Sequence, residues 1–369
     1  MRVRRAVRPV SPLTPGLSFG LGMISAQHDP RDGRSDSEIY ADILDLCGVA
    51  ENLGLDAVWL SEHHFVDDGY MPSLLPAAAA IAARTTRIVI GTGVLLAPFY
   101  DPLRLAEDSA TVDLISAGRL VLGLGAGYRD EEFDGFGRAR DGLGIVMDQV
   151  IATLRTGWSD GPVPGRPQGA AAVTVTPKPH QAGGPPIWIG ARSRAGIRRT
   201  ARAADGLLAA RVSPAELTKQ VALLDAEASA AGRDPAALSV AVHCPVFAWS
   251  AAPEAWRLVE PHLHYSEWKY GDMTGTPYGT RTGRAAPPPL TEATRAKIRA
   301  GALVGTPGAV ADGIAAYAAA AGDHPFHFIA RLYWPGMDPG LMREALAVHA
   351  QQVIPAVRDR VGRSTLAGH

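Results

Sequence analysis

Short apolar runs and helix-patterned segments alternate along almost the whole chain, eight times over, and few folds accommodate that rhythm. The apolar runs fall at 17–24, 57–60, 87–96, 119–124, 187–189, 207–210, 238–249 and 326–334. Most are continuous rather than alternating with polar residues, which is the pattern of parallel strands buried on both faces. Between them the apolar positions take helical spacing. Ile39, Ile43, Leu46, Val49 and Leu53 mark one such stripe, ending at Gly54. Helices are predicted over 36–53, 73–84, 103–115, 141–156, 194–204, 214–231, 306–321 and 340–357. Each crossover is long enough to return the chain for parallel pairing. The pattern predicts an α/β fold, a (β/α)8 TIM barrel, with a doubly wound open sheet as the alternative.

Two stretches break the repeat. Residues 158–185 are rich in Gly and Pro, with a hairpin predicted at 173–176. Residues 251–300 begin with aromatics (Trp256, Tyr265, Trp268, Tyr270) and then become rich in Gly and Pro. Insertions of this length in a barrel are commonly lids. An ordered cap is expected over 256–270 and a mobile segment over 274–290. Nothing marks a second domain, so 1–369 reads as one domain carrying two insertions. Formal net charge is −1, so no global field draws the chain to nucleic acid. The basic N-terminus lacks the apolar stretch of a secretory signal, and no run is long enough to span a membrane. The cytoplasm is the default expectation. Cys47 and Cys244 lie in apolar segments and read as buried thiols.

Four motifs stand where a barrel keeps its chemistry, at the C-terminal ends of strands. Ser61-Glu62-His63-His64 ends the second run abruptly in polar residues. Two adjacent imidazoles point in different directions, so at least one can face the barrel mouth and serve as acid or base. No ligand spacing supports a metal site. Gly91-Thr92-Gly93-Val94 interrupts the third run, as a kink or as a bulge under a flat ring. Gly123 to Tyr128 carries Gly125 and Gly127, but the acidic segment that follows argues against a phosphate there. A clear path for a ring or substrate is the better reading. Gly190-Ala191-Arg192-Ser193-Arg194 is a strand end, a turn and a helix start, the best phosphate site in the sequence.

Together these segments resemble the bacterial luciferase-like flavin-dependent monooxygenases, a superfamily that includes F420-dependent oxidoreductases. LDAVWLSEHHF is similar to the luciferase segment that carries the catalytic histidine, with His63 at that position. RIVIGTGVLL resembles the family's third strand, where Gly93-Val94 would be a non-prolyl cis peptide behind the flavin ring. PLRLAEDSATVDLISAGRLVLGLGAGYRDEEFDGFG and PPIWIGARSRAGIRRTARAADGLL match over most of their length. The resemblance implies reduced FMN at the C-terminal mouth, held by Thr92, Gly93, Val94, Gly125, Tyr128 and Gly190, with its phosphate at Gly190 to Arg194. It also implies catalysis by His63 with Glu62 orienting it and His64 beside it, a flavin hydroperoxide, a separate flavin reductase, O2 as co-substrate, and a homodimer. F420-dependent hydride transfer is the alternative, with arginines 192, 194, 198, 199 and 202 meeting a longer anionic tail. A non-catalytic flavin-binding barrel is a third. Glu62-His63-His64 is closer to the luciferase pattern than to the Asp-His pattern of F420 enzymes, which favours FMN. The aromatics of the cap, with Trp334, suggest an apolar or aromatic substrate. One departure stands out. Gly144 occupies the place of an expected Arg and Asp148 that of a Glu, with Arg138 or Arg140 as candidate replacements.

Overall fold

The computed structural model describes residues 12–13, 16–29, 32–164, 170–274 and 286–367. Its strands are β1 (Leu17–Ile24), β2 (Ala57–Leu60), β3 (Val89–Thr92), β4 (Leu95–Leu96), β5 (Leu120–Gly125), β6 (Ile187–Gly190), β7 (Gly206–Ala210), β8 (Ser239–Ala248), β9 (Leu303–Gly305) and β10 (Phe326–Arg331). The sheet runs β10-β1-β2-β3-β5-β6-β7-β8 and closes by β10 pairing with β8, all parallel. Closure rules out the open doubly wound sheet. The helices are α1 (Asp36–Asn52), α2 (Leu74–Arg84), α3 (Pro102–Ile115), α4 (Asp130–Gly135), α5 (Leu143–Trp158), α6 (Arg194–Ala203), α7 (Pro214–Ala230), α8 (Ala252–Thr274), α9 (Glu292–Ala300), α10 (Pro307–Ala320), α11 (Pro339–Val348) and α12 (Ile354–Ala367).

Strand alternation divides the core in two. On β2, Ala57 and Trp59 face the barrel interior, whereas Val58 and Leu60 face the helices. The interior is filled by Trp59 and Trp188, stacked at 5.2 Å between ring centroids, with Met23, Val89, Val121 and Ile329 around them. Two such rings need room. A Cβ on Gly91 would lie 2.4 Å from the Trp59 ring, and one on Gly206 would lie 2.7 Å from Trp188. Gly91 is therefore a packing glycine. The buried Trp59 indole donates to His327 Nε2 (2.8 Å), whose other ring nitrogen meets Ser18 Oγ at 2.7 Å. Helix starts follow their caps: Ser35 with Glu38 and Ser213 with Glu216 form capping boxes.

The structure departs from expectation in several places. The third run is two strands, β3 and β4, divided at Gly93–Val94, where the peptide is cis as the resemblance implies. The eighth stops at Arg331 rather than 334. The 173–176 hairpin reduces to one antiparallel bridge between Val163 and Val173. The short helix α4 and the strand β9 carry no long apolar pattern and escape a sequence reading. The cap is the single helix α8 followed by α9, and the expected mobile stretch falls largely outside the described residues. Among the described residues no helix is long and apolar enough to cross a membrane.

Between α11 and α12 the chain makes a π-helical turn, His349–Val353. His349 is fully buried there, neither ring nitrogen has a partner among the described residues, and burial pushes its pKa down to about 4. An unpaired buried polar group costs about 1–3 kcal/mol. His349→Leu is therefore expected to raise unfolding free energy at pH 7 by about 1–3 kcal/mol. Because the folded pKa lies below the free value, wild-type protein also loses stability as pH falls from 6.5 toward 4, and the variant loses less. Urea titrations at pH 7 and pH 5 read both effects; a destabilised variant contradicts this account of the site.

Candidate active site

β2 delivers Ser61 to His64 just past its C-terminal end, and the two imidazoles diverge. His63 is buried and donates Nδ1–H to Oε1 of Glu132 (2.8 Å), a carboxylate on α4. The Tyr128 hydroxyl donates to His63 Nε2 (3.1 Å). The His63 ring also meets Tyr70 edge-on at 4.8 Å and Tyr270 of α8 at 6.2 Å. Burial lowers the His63 pKa below 6.5 despite the Glu132 carboxylate, so the ring is neutral at pH 7. Burial works against the Glu132 charge, but His63, the His64 amide and Arg129 outweigh it and lower that carboxyl's pKa. Glu132 Oε1 also accepts from the His64 backbone N–H (2.9 Å), and Arg129 donates to the His64 carbonyl (2.6 Å).

Glu62 does not orient His63. It accepts from His64 Nε2 (3.0 Å), from the Leu96 N–H (3.3 Å) and from the Tyr100 hydroxyl (3.1 Å). Burial raises its pKa despite those donors. The His64 ring packs against Phe99 and Phe136. Glu62 and His64 thus form a buried pair bracing β4, and the orienting carboxylate is Glu132. Its sequence signal was slight: a Glu three residues after Arg129, in a segment that reads simply as acidic.

The predicted ring site is closely packed. Thr92 donates its hydroxyl to the Gly123 carbonyl (2.8 Å). Val94 fills the space beside two glycines: a Cβ on Gly125 would lie 2.3 Å from it, and one on Gly190 2.7 Å. Gly93 packs against Met23. Beyond β6, Ala191 is buried, Ser193 caps α6 by accepting from the Gly196 N–H (3.2 Å), and Arg192 and Arg194 are exposed. The basic cluster divides sharply. Arg198 and Arg202 pair with Glu227 on α7, and Arg199 with Asp148 on α5 (2.5 Å). Among the described residues neither Arg192 nor Arg194 forms an ion pair. Arg199 also donates to the Gly144 carbonyl (3.0 Å). It covers the position where an Arg was expected, whereas Arg140 pairs with Asp130.

A cleft of about 580 Å³ opens beside this helix start, between the ends of β7, β8 and β10 and the cap helices α8 and α9. Arg192, Arg211, His243, Lys297, Arg331 and Trp334 are among its lining residues. His63 is not one of them. Tyr270 lies between, against His63 on one side and under the Arg211 guanidinium (4.5 Å) on the other. Tyr265 and Trp268 are buried in the seat of α8, and the Tyr265 hydroxyl donates to the His28 carbonyl (3.1 Å) and to Asp68 (3.3 Å). Lys269 pairs with Asp67. Of Trp256, Tyr265, Trp268, Tyr270 and Trp334, Trp334 lines this cleft.

The sequence profile of the luciferase-like monooxygenases matches residues 21–324. The chain belongs to that family. Luciferase-like relatives diverge in cofactor. The chain is 30% identical over 164 residues to the oxygenase component of a flavin-dependent trigonelline monooxygenase from Acinetobacter baylyi, covering 44% of this chain and 46% of that one. It is 31% identical over 237 residues to an F420-dependent glucose-6-phosphate dehydrogenase from Microbacterium testaceum, covering 60% and 65%. It thus spans about half to two thirds of the length of these curated relatives. Among solved luciferase-like structures, a monooxygenase from Streptomyces bottropensis superposes with a TM-score of 0.77 at 26% identity, covering 92% of this chain and 99% of that one.

Proposed function

We propose that this barrel is the oxygenase component of a flavin-dependent monooxygenase, taking reduced FMN from a separate reductase and acting on a small organic molecule with O2. The observation that carries FMN is the division of the α6 arginines. A single phosphate needs the helix N-terminus and one or two cations, and Arg192 and Arg194 are the two left unpaired. A longer F420 tail would call on Arg198, Arg199 and Arg202, which are committed to Glu227 and Asp148. Hydride transfer with F420 is the second reading, supported by the dehydrogenase relative. A homodimer is part of the proposal by family likeness alone.

When bound, reduced flavin supplies the electrons that activate O2 and allow one oxygen atom to enter the substrate. The chain's residues supply the rest. Glu132 fixes the His63 tautomer with Nε2 unprotonated, so that nitrogen can take a proton and return it. The Tyr128 hydroxyl extends its reach. The cap helix α8, held by Tyr265 and Lys269, keeps water from the mouth.

Phosphate recognition is directly testable. Wild-type protein is expected to bind FMN about 10- to 100-fold more tightly than riboflavin, the worth of a charge-assisted contact. Replacing Arg192 and Arg194 together with Ala should abolish the preference in a fluorescence titration. Equal binding of FMN and riboflavin by wild-type protein removes α6 from the cofactor site.

A further inference from the structure

We infer that the substrate carries an acidic group, a carboxylate or phosphate, that docks on Arg331 in the cleft that His243 and Ser266 also line. The inference rests on the barrel acting on a small molecule, as proposed above. Arg331 is the last residue of β10 and lines the cleft. Its side chain makes no hydrogen bond or ion pair among the described residues, and its buried Nε is unsatisfied. The other inward arginines are matched. Arg129 has Glu132, Arg155 has Asp205, Arg211 has Glu267, and Arg119 donates to carbonyls. Glu267 acts on this half-buried guanidinium without an ion-pair contact, and a partly desolvated charge left without a hydrogen-bonded partner is costly.

The nearby carboxylates are already occupied. Glu216 caps Ser213, and Glu267 bridges Arg211 and Lys297 (2.8 Å). Arg192, Arg211, Lys297 and Arg331 line the cleft with these two acids, so its charge is positive. Two further polar groups there lack partners among the described residues: Nδ1 of His243 on β8, and Oγ of Ser266 on α8, a residue only 7% exposed. Three unsatisfied groups from three elements thus line one cavity. A planar guanidinium beside a hydroxyl and a neutral imidazole suits the two oxygens of an acid. Burial and the Arg331 and Arg211 charges push the His243 pKa down to about 3, so it adds no competing charge. Leu263, Ile298 and Trp334 offer an apolar wall for the organic body. Tyr270, which stacks under Arg211, stands between this cleft and His63. Docking on Arg331 adds an acidic group to the apolar or aromatic substrate suggested by the cap aromatics.

The test titrates cofactor-free full-length protein with benzoate, benzamide and inorganic phosphate, read by tryptophan fluorescence and calorimetry. Benzoate and phosphate are expected to bind and benzamide not, and Arg331→Met should weaken benzoate about 10- to 100-fold. FMN affinity should be unchanged in that variant. Removal of an unpaired cation should leave its melting temperature equal or higher, which confirms folding. Equal binding of benzoate and benzamide, or benzoate binding indifferent to Arg331→Met, overturns the inference. So does a loss of FMN affinity without loss of riboflavin affinity, since the acid would then be the cofactor's phosphate. If wild-type protein binds benzoate through Arg331 but binds no FMN, the anion site stands and the flavin reading falls.

Discussion

His63→Ala is expected to lower the single-turnover rate of product formation by about 10²–10⁴-fold, the range for loss of a general acid–base group. FMN affinity should change little, because His63 lies away from the α6 phosphate site. The effect follows from how the ring is held. Glu132 takes the Nδ1 proton, leaving Nε2 as the reactive nitrogen, and burial keeps it neutral at pH 7. The variant should remain folded, since Glu132 Oε1 retains the His64 amide and Arg129. Wild-type kcat/KM should fall on the acid side with an apparent pKa below 6.5, because the basic form is required and burial lowers its pKa. That limb should vanish in the variant. Normal binding with unchanged product formation would remove His63 from the chemistry.

Glu132→Gln is expected to act on stability and on that acid limb together. The amide can still accept the His63 proton, but Arg129 loses its buried counter-charge. Breaking such a pair from one side costs about 3–5 kcal/mol. The Glu132 charge raises the His63 pKa, so its removal should move the acid limb to lower pH. A merely structural carboxylate would lower stability and leave the limb in place. Urea unfolding and a pH–rate profile separate the two, and an unmoved limb contradicts the assigned role.

Much of this was legible in the sequence for identifiable reasons. Barrel strands are buried on both faces, so their apolar runs announce themselves, and the polar break at Ser61 places His63 at a strand end. Partnerships were not legible. Glu132 meets His63 across 69 positions of sequence, and nothing local distinguishes it from Glu131. The arginines after Gly190 look uniform as a string. Helical geometry sends Arg198 and Arg202, four apart on one face, to α7, and Arg199 to α5. Nor does a string show what a glycine leaves room for: Gly91 makes way for Trp59, and Gly125 and Gly190 for Val94. Arg331 lies inside the apolar run 326–334, and its place at the end of β10 and its lack of a hydrogen-bond partner among the described residues are facts of three dimensions.

The most direct test of the central claim is an anaerobic titration of this protein with reduced FMN and, in parallel, with F420. The account predicts saturable binding of reduced FMN at low concentration, weakened by the loss of Arg192 and Arg194, with F420 binding far more weakly. Tight binding of F420 with none of FMN would contradict it.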